Sequence, residues 1–370
     1  MITEFFVTFV FTMEQVRINL LGMTLEQLRS LAVANGLKSF VGNQIARWIY
    51  VNRVKTIDEM TSLSVKARAM LSEHYQVGRS EPLRVARSTD GTVKYLFEGA
   101  GSRDIETVMI PDRDRATLCV SSQAGCKMNC RFCMTGRQGF HGNLSVAQII
   151  NQVLSVENSA DLTNIVFMGM GEPTDNLDAV MQAIEVLTAP WGFAWSPKRI
   201  TVSTIGNIPA LRKLCQQSRV HIAVSVHAPY ATERQSIMPV EHAWPISEVM
   251  ALLSEFDWAH QRRLSVEYIV FKGLNDSPRH AMALARLIKG TDARVNLIRF
   301  HHVDGVDDLD GVSQRHMEDF RDRLNDLGVT ATIRASRGED IDAACGQLAG
   351  KGHKINPSYS PVNNLSIKQL

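Results

Sequence analysis

The sequence predicts an α/β protein: a partial (β/α)6 barrel over 115–350, preceded by a small N-terminal helical accessory domain over 14–80 and a β-hairpin extension over 81–114. Three observations point there. Short β-branched apolar runs alternate with helical stretches from about residue 115 onward, as a parallel sheet with crossover helices requires. Ahead of them, near residue 82, helical spacing of apolar residues gives way to alternation with a period of two. Six or seven βα repeats favour an open or partly closed barrel over a short doubly wound sheet. In either architecture ligands gather at the carboxyl ends of the strands.

The elements follow in chain order. MITEFFVTFVFTM (1–13) is apolar but lacks the positive leader and small-residue cleavage site of a secretory signal. It is expected to be a non-native or disordered leader, with Met13 opening a more ordinary beginning. Thr24 caps TLEQLRSLAVANGL and Gly36 stops it. QIARWIYVNRV and SVKARAMLSEHY continue the helical pattern. TVKYLFEG and DIETVMIP flank the turn-rich GAGSR and read as a hairpin. The strand candidates of the barrel are 116–122, 164–170, 199–205, 221–227, 264–271, 294–300 and 329–336. Helical stretches lie between them at 145–158, 176–188, 207–217, 246–257, 278–289 and 313–326. The tail KGHKINPSYSPVNNLSIKQL (351–370) is polar and aperiodic, and is expected to be flexible.

Composition narrows the function. Of 370 residues, 45% are hydrophobic and 21% charged, enough for a sizeable core and unlike a disordered chain. Lys plus Arg number 40 against 38 Asp plus Glu, which excludes a polyelectrolyte but leaves room for a local basic face. No apolar run approaches the roughly 18 residues that span a bilayer. A cytoplasmic location is expected, and there six cysteines read as ligands or reactive groups rather than disulfides.

The sharpest local signal is Cys126-Lys-Met-Asn-Cys130-Arg-Phe-Cys133, directly after a strand candidate. Three thiolates in eight residues can converge on an iron–sulfur cluster or on zinc. Zinc normally needs a fourth ligand, for which His141 is available. A three-thiolate set fits a [4Fe–4S] cluster that leaves one iron open to a chelating ligand such as S-adenosylmethionine. Gly169-Met170-Gly171-Glu172-Pro173 ends the second strand candidate, where a tight strand-to-helix turn favours glycine.

The cysteine spacing is that of the radical S-adenosylmethionine superfamily, and the Gly171-Glu172 loop resembles the one with which that superfamily holds the methionyl amino group. Four further phrases, ATLCVSSQ (116–123), MGMGEP (168–173), SVHAP (225–229) and DIDAACGQL (340–348), resemble the RlmN/Cfr family of RNA adenine methyltransferases from about residue 14 to residue 350. CMTG (133–136) and Arg299-Phe300-His301 lean toward the RlmN branch.

The resemblance implies a radical S-adenosylmethionine barrel that methylates carbon 2 of an adenine. The implied substrates are 23S rRNA near the peptidyl-transferase centre and tRNA beside the anticodon; Cfr relatives act at carbon 8 of the same rRNA base. Carbon 2 is an electron-poor sp² carbon, so displacement on a sulfonium methyl fails there whereas a carbon radical can add. By resemblance, Cys126, Cys130 and Cys133 hold the cluster, and two molecules of S-adenosylmethionine serve each turnover. Cys345 takes a methyl group from the first. A 5′-deoxyadenosyl radical from the second removes a hydrogen from that methyl, and the methylene radical adds to RNA as a covalent crosslink. Cys119 then attacks the Cys345 sulfur and forms a transient disulfide. Glu106 matches the family's base for the carbon-2 proton, although alone it reads as a solvent-facing strand residue. Gly171, Glu172, Ser203, Ser225, Val226, His227 and His301 match cofactor contacts, His301 standing where the family commonly has Asn. Cys215 matches no family position and reads as structural.

The partners implied are 23S rRNA and tRNA, an external electron donor and a disulfide reductant, with no membrane and a monomeric state. From Arg115 to Val156 there is no Asp or Glu, while Lys127, Arg131 and Arg137 accompany Phe132, Phe140 and His141. Such a rim suits a phosphate backbone and an extruded base; it equally suits cations drawn to anionic thiolates. Arg47, Arg53, Lys55, Lys66 and Arg68 make the helical module a second RNA contact or an ordinary solvated face. Two other classes compete. A zinc-stabilised RNA-binding protein gives Cys119, Cys345 and Gly171-Glu172 no role, and a methylthiotransferase carries a second cysteine trio that this chain lacks.

Overall fold

The computed structural model of the protein describes residues 17–101, 103–258, 262–303, 305–349 and the backbone of 359–361. The expected leader (1–13) lies outside the described residues. So does the expected tail (351–370), apart from those three.

The N-terminal helices form where their caps place them. Helix α1 (Leu25–Ala34) starts at a reciprocal capping box: the Gln27 amide donates to Thr24 Oγ1, and the Thr24 amide to Gln27 Oε1. Helix α2 (Phe40–Ala46) runs on into a π-helical turn at Arg47–Val51, and α3 (Val65–His74) is capped by Ser64. Leu28, Ile45, Ile49 and Leu71 lie buried where these helices meet. Each such side chain contributes roughly 1.5–3 kcal/mol of burial.

The extension supplies β1 (Arg84–Arg87), β2 (Val93–Phe97) and β3 (Ile105–Asp112), joined antiparallel. The expected hairpin is β2–β3. β3 pairs antiparallel with β4 (Arg115–Cys119), the first strand of the parallel half of the sheet. That half continues through β5 (Asn164–Phe167), β6 (Ile200–Thr204), β7 (His221–Ser225), β8 (Leu264–Val270), β9 (Arg294–Arg299) and the short β10 (Ala331–Ile333). Among the described residues the sheet has eleven strands, and its parallel part runs in chain order from β4 to β10. The outermost strand at the far edge is β11 (Tyr359–Pro361), antiparallel to β1. This is the partial six-unit barrel expected, with a short further strand at its edge.

Crossover helices α4 (Val146–Leu154), α5 (Leu177–Thr188), α6 (Ile208–Gln217), α7 (Ala231–Ile237), α8 (Ile246–Ser254), α9 (Pro278–Leu287) and α10 (Gln314–Asp326) pack outside the sheet. The core is the sheet interior, with Leu118, Ile165, Val202, Val224, Val266 and Leu297 all inaccessible to water. Several strands stop short of their apolar runs. Ser121, Met168, Ile205 and His227 leave the ladder at its carboxyl end, where the chain bends toward a cavity. Among the described residues, no helix is long and apolar enough to cross a membrane.

Candidate active site

The cysteine loop is set off by a small antiparallel pair, Gln123–Gly125 with Phe140–Asn143, which alternation did not announce. The pair depends on Gly125: at φ +72° a Cβ there would stand 1.8 Å from the Gly139 carbonyl oxygen. Within the loop, the Cys126 amide donates to that same oxygen at 3.0 Å, and the Cys133 amide donates to Cys130 O at 3.1 Å. Cys126, Cys130 and Cys133 then line one cavity of about 160 Å³ at the carboxyl ends of the strands.

Burial pushes the Cys126 thiol up to about 12 and the Cys130 thiol well above its ordinary value, the neighbouring sulfurs adding to both. A multiply charged inorganic centre inverts that preference by replacing the protons. The donor set fits a [4Fe–4S] cluster, which takes its thiolates on separate irons. It fits a single zinc ion less well. Among the described residues no trio of His, Cys, Asp or Glu side chains is arranged around one ion. His141 Nε2 is instead 3.0 Å from Gln138 O, and His141 does not line the cavity.

Five of the residues expected to contact the cofactor, Gly171, Glu172, Ser203, Ser225 and His227, line the same cavity. Gly171, at φ +94°, packs against Gln123 so closely that a Cβ would meet Gln123 Cβ at 2.5 Å. The buried Glu172 carboxylate accepts from the amides of Thr174 and Ile205, both at 3.1 Å, and from Thr174 Oγ1. Burial raises its pKa while those hydrogen bonds pull it down. Ser203 and Ser225 line the cavity from β6 and β7. His227, held at φ +56°, accepts from the Ile269 amide on Nδ1 at 3.0 Å, which leaves the proton on Nε2. Its ring meets Phe132 edge-on at 4.7 Å. Burial, and then Arg234, push His227 down to about 3, so the imidazole is neutral.

A second cavity of about 80 Å³ adjoins the first and is lined by Cys119 and Cys345. Cys133, Met168, Gly169, Arg334, Cys345 and Gly346 line both. Cys119 ends β4 and Cys345 sits exposed on the loop after β10, so residues 226 apart in the chain meet at one junction. Burial and then Cys345 push the Cys119 thiol up to about 12, and Arg334 offsets only part of that rise. Arg334 Nη1 lies 3.3 Å from Glu267 Oε2 and 3.5 Å from Met168 Sδ. Burial works against its charge, but Cys345, Glu267 and Cys119 more than restore it.

Three expected residues stand elsewhere. The Val226 side chain is buried, and its amide donates to Glu267 O at 3.1 Å, so it shapes the strand end without lining the cavity. His301 Nε2 is 2.9 Å from Ser336 Oγ and lines neither cavity. Glu106 is not solvent-facing, as its strand position alone had implied. It is 2% exposed, 3.2 Å from Lys94 Nζ, and accepts from the Ala349 amide at 2.8 Å. The basic rim is also less bare than its sequence: Lys127 pairs with Asp175 at 3.1 Å and Arg131 with Asp308 at 2.6 Å. Sequence reading missed Glu267 and Arg334, whose one signal was a charge inside the apolar strand β8 and another just past the end of β10.

Cavities at the carboxyl ends of a partly closed parallel sheet, with three thiols on the loop after its first strand, define a radical S-adenosylmethionine enzyme. Residues 120–285 match the Radical SAM superfamily, and residues 18–77 match the ribosomal RNA large subunit methyltransferase N-terminal domain. The chain is 54% identical over 330 residues to a probable dual-specificity RNA methyltransferase RlmN of Parabacteroides distasonis, covering 89% of this chain and 96% of that one. It is 39% identical over 335 residues to the dual-specificity RNA methyltransferase RlmN of Geotalea uraniireducens, covering 90% and 97%. The crystal structure of a radical SAM methyltransferase from Sphaerobacter thermophilus superposes with a TM-score of 0.85 at 36% identity, over 90% of this chain and 100% of that one. The chain belongs to the RlmN family of radical SAM RNA methyltransferases.

Proposed function

We propose that the protein methylates carbon 2 of adenine in 23S rRNA and in tRNA, using Cys345 as methyl carrier and Cys119 as resolving thiol. The observation that carries this reading is the shared junction. Cys345 borders both the three-thiol cavity and the cavity of Cys119. When bound, the cluster would supply the electron that cleaves S-adenosylmethionine to a carbon radical. The chain's own residues do the rest. Glu172, Ser203, Ser225 and neutral His227 offer polar groups that orient the sulfonium compound, while Phe132 and Met168 keep water from the junction. Cys345 receives a methyl group from one S-adenosylmethionine and, once its methylene is joined to RNA, anchors the crosslink. Glu106 accepts the carbon-2 proton. The unpaired electron left by the radical addition passes to the external redox partner; Cys119 then attacks the Cys345 sulfur, the S–S bond forms as the sulfur–carbon bond breaks, and the released carbon keeps that electron pair and takes up a proton to become the product methyl. Arg334 favours the thiolate that makes the attack. An external reductant must then reopen the disulfide.

RNA would approach across Phe140, which is 37% exposed with Lys127 4.3 Å over its ring, and across the basic helices of the N-terminal module. We further infer a monomer working in the cytoplasm. Anaerobic turnover followed by mass spectrometry of RNA nucleosides tests the reaction. Cys345→Ala is expected to abolish methyl transfer, and Cys119→Ala to accumulate protein joined to RNA. Normal turnover by both variants would sink the two-thiol mechanism, and methylation at carbon 8 would overturn the choice of target atom.

A further inference from the structure

We propose that Lys94 is a positioning residue for the methyl-carrying thiol, holding the Cys345 loop at both of its ends together with Glu106. The inference rests on the reading of Cys345 given above. Lys94 lies in β2, every residue of which is buried, and is itself 3% exposed. An ammonium so placed is costly unless it is both paired and hydrogen-bonded. Lys94 Nζ satisfies both conditions: it lies 3.2 Å from Glu106 Oε1 and donates to the Asp342 carbonyl at 3.0 Å. The other Glu106 oxygen accepts from the Ala349 amide at 2.8 Å. One buried ion pair thus grips the backbone at 342 and at 349, with Cys345 between the two points.

The loop has need of such a grip. After the turn Glu339–Ile341 it enters neither a helix nor the sheet before residue 349, and Asp342 adopts φ +51°. Asp340 is tied to Ser88 Oγ at 2.6 Å and to the Thr89 amide at 3.1 Å, but both bonds face solvent. Beyond Cys345, the Met134 amide donates to Gly346 O at 2.8 Å and Thr135 Oγ1 to Leu348 O at 2.6 Å. These tie the loop to the turn that follows Cys133. The Lys94–Glu106 pair is the charged, water-excluded fastening, and such hydrogen bonds are about twice as strong as neutral ones. A transferring sulfur displaced by about 1 Å loses much of its rate. Lys94 therefore sets the aim of Cys345 without touching substrate.

The test uses the anaerobically reconstituted full chain with RNA and S-adenosylmethionine. Two quantities are read: 5′-deoxyadenosine formed per methylated adenine, and hydrogen exchange of the amides of 343–347. Lys94→Met is expected to raise both by roughly tenfold, the loss of one charge-assisted bond. A general loss of folded protein would lower product without changing that ratio. Should Lys94→Met fail to fold around the unpaired Glu106, the double variant Lys94→Met/Glu106→Leu buries no charge, and its loop exchange carries the test. Unchanged exchange and coupling in a folded variant would overturn the proposal. Cys345→Ala, measured alongside, separates the two claims. If it still methylates RNA, the reading of Cys345 fails. If it is inactive while Lys94→Met stays coupled, the positioning role alone fails.

Discussion

Six residues of one type, cysteine, occupy settings that give them different chemistry, and the setting is not contained in the residue. Cys215 is 2% exposed on the inner face of α6, with Arg262 Nη1 donating to its carbonyl at 2.8 Å. Burial pushes its thiol up to about 11, which makes it inert. Cys119 is held as high by burial, yet it faces a guanidinium and a second thiol, so a displaced proton leaves behind a usable nucleophile. His227 shows the same dependence on setting. Its native pKa, about 3, lies below the ordinary 6.5 because burial and Arg234 disfavour the charged ring. The unfolded chain takes up a proton below about 6.5 that the native state refuses until about 3. The contribution to stability is therefore complete above about 6.5 and declines as pH falls toward 3, by at most about 1.4 kcal/mol per pH unit. Urea unfolding of the metal-free protein from about pH 7 to about pH 4.5 should show this slope, and His227→Gln should flatten it. Identical slopes for the two proteins would mean that another group titrates.

At the scale of elements, one buried side chain gathers several of the strand ends that border the cavity. Arg234 of α7 is fully buried, and donates to Val226 O at 3.1 Å, Ile205 O at 3.0 Å and Ser225 O at 3.1 Å, and to Glu241. It thus ties the carboxyl ends of β6 and β7 to each other and to the helix behind them. Glu241 in turn accepts from the Ile246 amide at 3.1 Å and starts α8. Arg234→Met should cost about 3–5 kcal/mol in chemical denaturation, because Glu241 is left charged and buried, and adding Glu241→Gln should recover part of the loss. Recovery of nothing would place the cost in the strand-end carbonyls alone. Neither residue stood out in the sequence, where a charged pair in ATERQSIMPVEH reads as surface. What could be read was whatever repeats or is contiguous. The alternating runs of β4 to β10 carry their own period, the helices between them carry theirs, and the cysteine trio lies within eight residues. What could not be read depends on tertiary placement: the glycine-supported pair around the cysteine loop, the inward turn of Glu106 toward Lys94, and Arg334 at the junction. That Cys119 and Cys345 border one cavity could be expected only through family resemblance, since no local pattern links positions on the first parallel strand and beyond the last.

For the whole molecule, the question is how a helical module at the start of the chain bears on a junction at the far side of the sheet. The link is α4, which follows the cysteine loop directly. Arg79 Nε donates to Ser155 Oγ at 3.1 Å, Nη2 to Leu154 O at 2.5 Å, and Nη1 to Arg53 O at 2.9 Å. Arg53 reaches Ser159 Oγ at 3.0 Å, the Ser80 amide donates to Asn151 Oδ1 at 2.9 Å, and Gln182 of α5 donates to Gly22 O at 2.7 Å. The module is thus fastened to the first two crossover helices by directional bonds, and Arg79 spans both sides of the seam. A long RNA that touches the basic helices and also inserts a base at the junction needs that spacing fixed, because a flexible seam would charge ordering entropy to every binding event. Arg79→Met should raise the KM for RNA roughly tenfold, as expected for losing bonds from a charged donor, while RNA-independent methylation of Cys345 stays near its original rate. Initial-rate kinetics with RNA, set beside mass spectrometry of the Cys345 peptide, separate the two effects. A fall in Cys345 methylation as large as the fall in RNA turnover would show that Arg79 serves the barrel itself, and that the seam plays no part in presenting the substrate.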